Sequence, residues 1–162
     1  MIVVSDSSPL ILLSKIDCLF ILPQLFGTVV IPEEVANELH HEESEHPERA
    51  AFTGYPWLQT NHCRQPVIAP GIDLGESAAI GLAQELRASL LIDDQRGRKM
   101  AAKLGLTYLG SVGVLEPAAS ERLIQLNESF TRIKQTDFFI SHEFLDQRLA
   151  LHLRTLGVSD SP

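Results

Sequence analysis

The chain has 162 residues, of which 44% are hydrophobic, and its 13 Lys and Arg stand against 21 Asp and Glu for a net charge of −8. A chain this long can bury roughly 70% of its unfolded surface in one domain, and its composition excludes low-complexity and fibrous classes. The acidic balance argues against a protein that grips nucleic acid by bulk electrostatics, but it leaves room for an enzyme that meets a few phosphates through a bound cation. No apolar run approaches the ~18 residues that span a bilayer. The N-terminus lacks the basic region of a signal peptide, so the expectation is a cytoplasmic protein with no membrane partner. Cys18 and Cys63 fit neither a disulfide framework nor a Cys-x-x-Cys metal site.

The chain opens on Ile2-Val3-Val4, a short buried strand that runs straight into Asp6. Ser8 then reads as a helix N-cap before Pro9 at the first helical position. Residues 9–16 and 18–26 read as two short apolar helical pieces separated by Asp17, with Pro23 interrupting or kinking the second and Gly27 ending it. Thr28–Ile31 is a second buried strand by its β-branched content. Pro32 opens a helix whose first-turn acids, Glu33 and Glu34, suit the macrodipole.

Residues 42–54 are the most polar part of the chain and read as a solvated helical excursion, with Pro47-Glu48 as a further helix start. Residues 57–61 suggest a short edge strand, and Gln65–Gly71 a loop. A strand–helix alternation follows: helix 76–87, strand 89–92, helix 95–104 ended by Gly105, and strand 106–109. Gly110–Gly113 reads as a turn into a helix over 114–120, with further helices at 121–135 and 142–156. The last carries Leu145, Leu149, Leu153 and Leu156 as a stripe suited to packing on the domain or on a second subunit. Strands separated by helices imply crossover connections, so the expected fold class is α/β, a single domain 1–162 with a mostly parallel sheet covered on both faces.

Ligands in such sheets collect beyond the carboxyl ends of the strands, and acids are the residues this chain brings there. Asp6 follows the first strand. Glu38 flanks the buried face of its helix, set by Val35 and Leu39. Glu76 has two readings at once. Asp73-Leu-Gly-Glu76 has the form of a capping box, while Glu76 also shares a face with Ala79, Ile80 and Ala83, which carries its carboxylate toward the sheet. Asp93 and Asp94 follow a strand and precede a helix. One of them suffices as a cap, and Asp94 is favoured as the inner group with Asp93 as helper or cap.

Carboxylates gathered in one crevice repel and raise one another's pKa values unless a cation sits among them. All-oxygen ligation selects hard ions, so Asp6, Glu38, Glu76, Asp93 and Asp94 are candidate ligands of Mg²⁺ or Mn²⁺. Such an ion acidifies a bound water and shields a phosphodiester. His40, His41, His46 and His62 lack the spacing of a zinc site. Arg96, Arg98 and Lys99 follow the Asp pair and either contact substrate phosphates or form a solvated helix face.

With these residues in place, the chain resembles the PIN-domain family, metal-dependent ribonucleases that include VapC-type toxins. The likeness lies in Asp6-Ser-Ser-Pro-Leu after the opening strand and in residues 74–83 (LGESAAIGLA), 90–106 (LLIDDQRGRKMAAKLGL) and 109–115 (LGSVGVL). The resemblance implies a three-layer α/β/α fold and a metal-dependent endoribonuclease acting on RNA with Mg²⁺ or Mn²⁺. It also implies frequent homodimers and, for toxins, a small antitoxin partner. By position Asp6, Glu38, Glu76 and Asp94 match the family's catalytic acids, and Ser8 falls where a serine or threonine stands near the metal. The chain departs from the family in having Glu76 where aspartate is common, and Ile92 where a threonine often precedes the fourth acid. Two other functions compete with this one. The first is a PIN-like RNA- or protein-binding module without nuclease activity. The second is a different Mg²⁺-dependent phosphate enzyme, which would want Asp-x-Asp after the first strand where this chain has Asp6-Ser7-Ser8.

Overall fold

The structure, a computed structural model, describes residues 1–47, 52 and 54–157. Five strands form one sheet: β1 (Ile2–Ser5), β2 (Thr28–Pro32), β3 (Leu58–Asn61), β4 (Ser89–Leu91) and β5 (Tyr108–Leu109). Their spatial order is β3-β2-β1-β4-β5 and every pairing is parallel. The helices are α1 (Ser7–Lys15), α2 (Ile21–Phe26), α3 (Glu33–Glu45), α4 (Leu74–Leu86), α5 (Gln95–Lys103), α6 (Ser111–Ser120), α7 (Leu126–Lys134) and α8 (His142–Thr155). The arrangement is a three-layer α/β/α fold. The chain falls into two compact units, Met1–Val114 and Leu115–Pro162.

The strands are buried on both faces, as parallel strands must be. Adjacent residues on β1, Val3 and Val4, point to opposite sides, and both are fully buried. Val4, Val30, Leu90 and Ile92 pack against Ala78, Ala79, Ile80, Leu82 and Ala83 of α4 and Ala101 of α5. The small side chains of α4 let it lie close over the sheet. It is buried on nearly every side from Gly75 to Ala83. β1 sits in the middle, and the chain moves outward through β2 and β3 before returning to β4 on the other flank. That reversal makes the carboxyl ends of β1 and β4 the switch point where a crevice forms.

Several elements start or end differently from the sequence reading, for local reasons. The backbone N-cap of α1 is Asp6, not Ser8. Ser7 and Ser8 are already helical, and Pro9 sits at the third position, where a missing N–H still costs no intrahelical bond. The piece read at 18–26 is helical only from Ile21, so Pro23 falls in the first turn of α2, where its missing N–H costs no intrahelical bond. α6 begins at Ser111 rather than after a turn at 110–113, since Asp93 supplies an acceptor for its first amide. Helix 121–135 is shortened to Leu126–Lys134, with Arg122 in a left-handed conformation just ahead of it.

The edge strand and the 65–71 loop fall where the sequence placed them. In α8 only Leu145 of the leucine stripe is buried, and Leu156 is exposed. The helix start read at Pro47-Glu48 lies largely outside the described residues. Among the described residues no helix is long and apolar enough to cross a membrane.

Candidate functional site

Asp6 leaves β1 at the switch point, its backbone amide donating to the Leu91 carbonyl of β4 at 2.9 Å. That bond fixes the carboxyl end of one strand against the other and leaves the side chain beyond both. Its carboxyl makes no capping hydrogen bond to the helix that it precedes and is only 3% exposed. Burial is the main cause that raises its pKa from 3.8 to about 8. The neighbouring Ser7 amide pulls the other way, and the charges of Glu38, Glu76 and Asp73 add to the rise. A buried aspartate facing three other acids holds its proton near neutral pH.

Glu38 is carried in by α3, anchored through buried Val35 and Leu39. Its Oε2 accepts the Ser7 hydroxyl at 2.5 Å. Its Oε1 lies against the start of α4, where a Cβ on Gly75 would come to 2.2 Å. Only a residue without a side chain permits that approach. Burial raises the Glu38 pKa, the Ser7 hydrogen bond lowers it, and Asp73 raises it further.

Glu76 satisfies both readings made from the sequence. Its amide donates to Asp73 Oδ1 at 2.8 Å while its Oε2 accepts the Asp73 amide at 3.2 Å, a complete capping box. It is nonetheless 7% exposed, and burial is the chief cause that lifts its pKa from 4.5 to about 7, with Asp73, Asp94 and Glu38 contributing and the Asp73 amide opposing. The reciprocal cap therefore does not remove Glu76 from the acid group.

The adjacent aspartates part company. Asp94 is the N-cap of α5, and both of its bonds, from the amides of Arg96 (2.9 Å) and Gly97 (3.1 Å), fall on Oδ2. Asp94 is exposed, and its charge reaches Glu76. Asp93 turns away to Ser111, accepting the amide on Oδ1 at 2.8 Å and the hydroxyl on Oδ2 at 2.5 Å. Burial raises its pKa, while the Ser111 bonds and the Arg98 charge lower it. Of the pair, Asp94 lies toward the other acids and Asp93 holds the start of α6.

Two residues of this site carried no functional reading in the sequence. Asp73 looked only like a cap, yet its charge raises Asp6, Glu38 and Glu76 together. Ser7, rather than Ser8, holds an acid. The signal for Asp73 was topological. In a parallel sheet with crossover helices, the helix N-termini lie at the carboxyl edge, so a helix cap there joins whatever the strand ends present. The histidines stay outside. His62 is 3.2 Å from Glu33, and His40 and His41 pair along α3 with Glu43 and Glu45, each a contact with its imidazole exposed and of small energetic value.

A family model described as a PIN domain matches residues 2–153. This chain belongs to the PIN-domain family. Its fold is thus a nuclease-type fold. Among solved structures, a PilT N-terminus domain protein from the hyperthermophilic archaeon Sulfolobus solfataricus P2 aligns over 73% of this chain and 93% of its own length, with a TM-score of 0.54 and 18% identity. At that identity the likeness concerns the fold. Among curated proteins there is no significant match to the chain.

The chemistry of the donor set suits a hard divalent ion. It consists of carboxylate oxygens, and no lysine or arginine is among the groups that shift Asp6, Glu38 or Glu76. Among the described residues no three His, Cys, Asp or Glu side chains close into a ready-made cage. Mg²⁺ does not require one, because it keeps several waters and is held by one or two carboxylates together with substrate phosphate.

Proposed function

We propose that this PIN domain is a Mg²⁺- or Mn²⁺-dependent endoribonuclease. The observation that carries the proposal is the gathering of buried or half-buried acids at the carboxyl ends of β1 and β4, their pKa values raised and no lysine or arginine among the groups that shift them. Such clusters of perturbed groups mark functional sites. The residues that would hold the ion are Asp6, Glu38, Glu76 and Asp94, with Asp93 supporting them from its place on Ser111. When bound, the ion supplies positive charge against the scissile phosphate and a water of lowered pKa.

The chain's own groups do the positioning. The Ser7 hydroxyl fixes one oxygen of Glu38. The capping box fixes one oxygen of Glu76, and the first turn of α5 fixes one oxygen of Asp94. Each carboxylate therefore keeps a second oxygen in a set orientation. Fixing donors before substrate arrives is what lowers the reorganisation needed at reaction.

The likeness to VapC-type toxins extends the proposal to the toxin of a toxin–antitoxin pair, working as a cytoplasmic homodimer restrained by a small antitoxin. Uncontrolled expression should then arrest growth, and a small partner should co-purify. A second reading, a PIN-like RNA- or protein-binding module without cleavage, draws on the absence of a closed ligand cage among the described residues. Incubating single-stranded RNA with the protein in Mg²⁺ or Mn²⁺ separates the two. Cutting that stops with chelator and falls by about 100-fold or more in Asp6→Asn and Asp94→Asn supports the nuclease. RNA binding indifferent to chelator, with no cutting, supports the module.

A further inference from the structure

We infer that Arg96 seats a backbone phosphate of single-stranded RNA beside the acid group. The inference rests on the nuclease proposal and specifies how its substrate is held. Arg96 is exposed and stands in the first turn of α5, two residues after Asp94. Its guanidinium does not extend along its own helix but lies back over the turn at residues 69–72 ahead of α4. A Cβ on Gly71 would come to 2.3 Å from its Nη1 and 2.8 Å from its Cδ. Gly71 has φ +77°, so the position needs glycine twice, for the left-handed backbone and for the arginine lying on it. The side chain thus bridges the start of α5, capped by Asp94, to the turn just before Asp73, the cap of α4.

The charge at Arg96 is not neutralised there. Among the described residues its guanidinium has no ion pair or hydrogen bond, and it is not among the groups that shift Asp6, Glu38 or Glu76. Its position two residues after Asp94, lying over the turn just ahead of Asp73, is what places it at the edge of the acid group. Arg98, by contrast, is engaged, lying 5.3 Å over the Tyr108 ring and acting on Asp93. In a chain with net charge −8, an unpaired arginine fork beside a carboxylate site is suited to a phosphate, which it can grip through two parallel hydrogen bonds.

The flanking residues favour a single strand. Three positions to either side of Gly71, Ile68 is 90% exposed and Leu74 is 80% exposed. A segment that carries exposed apolar side chains and has an arginine lying on its turn suits a strand that offers phosphates and unstacked bases together. A duplex keeps its bases inside.

The test uses the full-length protein and labelled single-stranded RNA, with Arg87→Gln as the control. Arg87 is an exposed arginine just ahead of the amino end of β4, away from the acids. Arg96→Gln should raise KM about tenfold with kcat nearly unchanged, the scale for loss of a charged hydrogen bond. Arg96→Lys should recover part of that loss. Gly71→Ala should raise KM in the same direction, and the double variant should be no worse than Arg96→Gln alone. If Arg96→Gln and Arg87→Gln share the wild-type KM, the role for Arg96 is overturned while the nuclease stands. Should the wild-type protein cut no RNA, the nuclease reading fails by itself, and RNA binding decides the role of Arg96. Weaker binding with a salt slope reduced by about one in Arg96→Gln but not in Arg87→Gln supports it, and equal binding overturns it.

Discussion

The two ends of the parallel sheet use the same strands and carry opposite surroundings. At the carboxyl end, Asp6, Glu38 and Glu76 are held with raised pKa values around the starts of α1 and α4. At the amino ends of β4 and β5, Gln84, Arg87, Ser89, Leu104 and Thr107 help line a hollow of 380 Å³ with no carboxylate among its lining residues. That hollow is not where the acids are. Chain direction explains the difference. Crossover helices present their N-terminal, electropositive ends on the carboxyl side, where anionic groups are tolerated, and their C-terminal ends on the other. Capping aspartates such as Asp73 and Asp94 collect on one side for a structural reason, and the remaining acids join them there.

Glycines at the two ends give the largest separable effect after loss of the acids themselves. Gly75→Ala at the carboxyl end places a methyl group where the Glu38 carboxylate now lies. It should lower Mn²⁺ affinity and RNA cleavage about tenfold, as displacement of an orienting group does. Thermal stability should be kept, since alanine is the better helix former. Gly105→Ala at the amino end meets no atom within 4 Å but keeps φ +74°. It should cost about 1 kcal/mol, roughly 3 °C in Tm, and leave cleavage unchanged. Equal cleavage losses in both variants would erase the contrast between the ends.

A smaller effect concerns pH. The Asp6 pKa is raised from 3.8 to about 8, so between those values the folded state keeps a proton that the unfolded state releases. Stability contributed below the lower value is therefore lost as pH rises through the upper one. The ion-free protein should melt at lower temperature at pH 8 than at pH 5, with Glu76, raised to about 7, adding to the trend. Asp6→Asn should flatten the dependence and raise the pH 8 melting temperature by roughly 3 °C. A variant less stable than wild type at pH 8 would show that the Asp6 charge is not a burden on the fold.

Much of this was legible from the residues. The strand–helix alternation from residue 74 to 109 fixed a parallel sheet, because buried β-branched runs and capped amphipathic helices leave few alternatives there. The capping box at Asp73 and Glu76 was readable from spacing alone. The division of labour between Asp93 and Asp94 was only half readable. The sequence favours Asp94 as the inner group and leaves Asp93 as helper or cap. Asp94 is instead the exposed N-cap of α5, with its charge reaching Glu76, and the grip of Asp93 on Ser111 depends on a contact 18 residues away. Asp73 was missed because its local role as a cap accounted for it fully, and Ser7 because the N-cap was placed at Ser8, one residue beyond it, until the fold brought Glu38 alongside. Glycine at position 75 likewise looked unremarkable until a carboxylate from another helix came to occupy the space of its absent side chain.

Titrating the ion-free protein with Mn²⁺ by calorimetry at neutral pH, in buffers of different ionisation enthalpy, bears most directly on the acids at the ends of β1 and β4. The expected result is saturable binding with release of protons from the acids, lost in Asp6→Asn and retained in Arg87→Gln. No binding to the wild-type chain, or an unchanged isotherm in Asp6→Asn, would contradict a divalent-ion site at these residues.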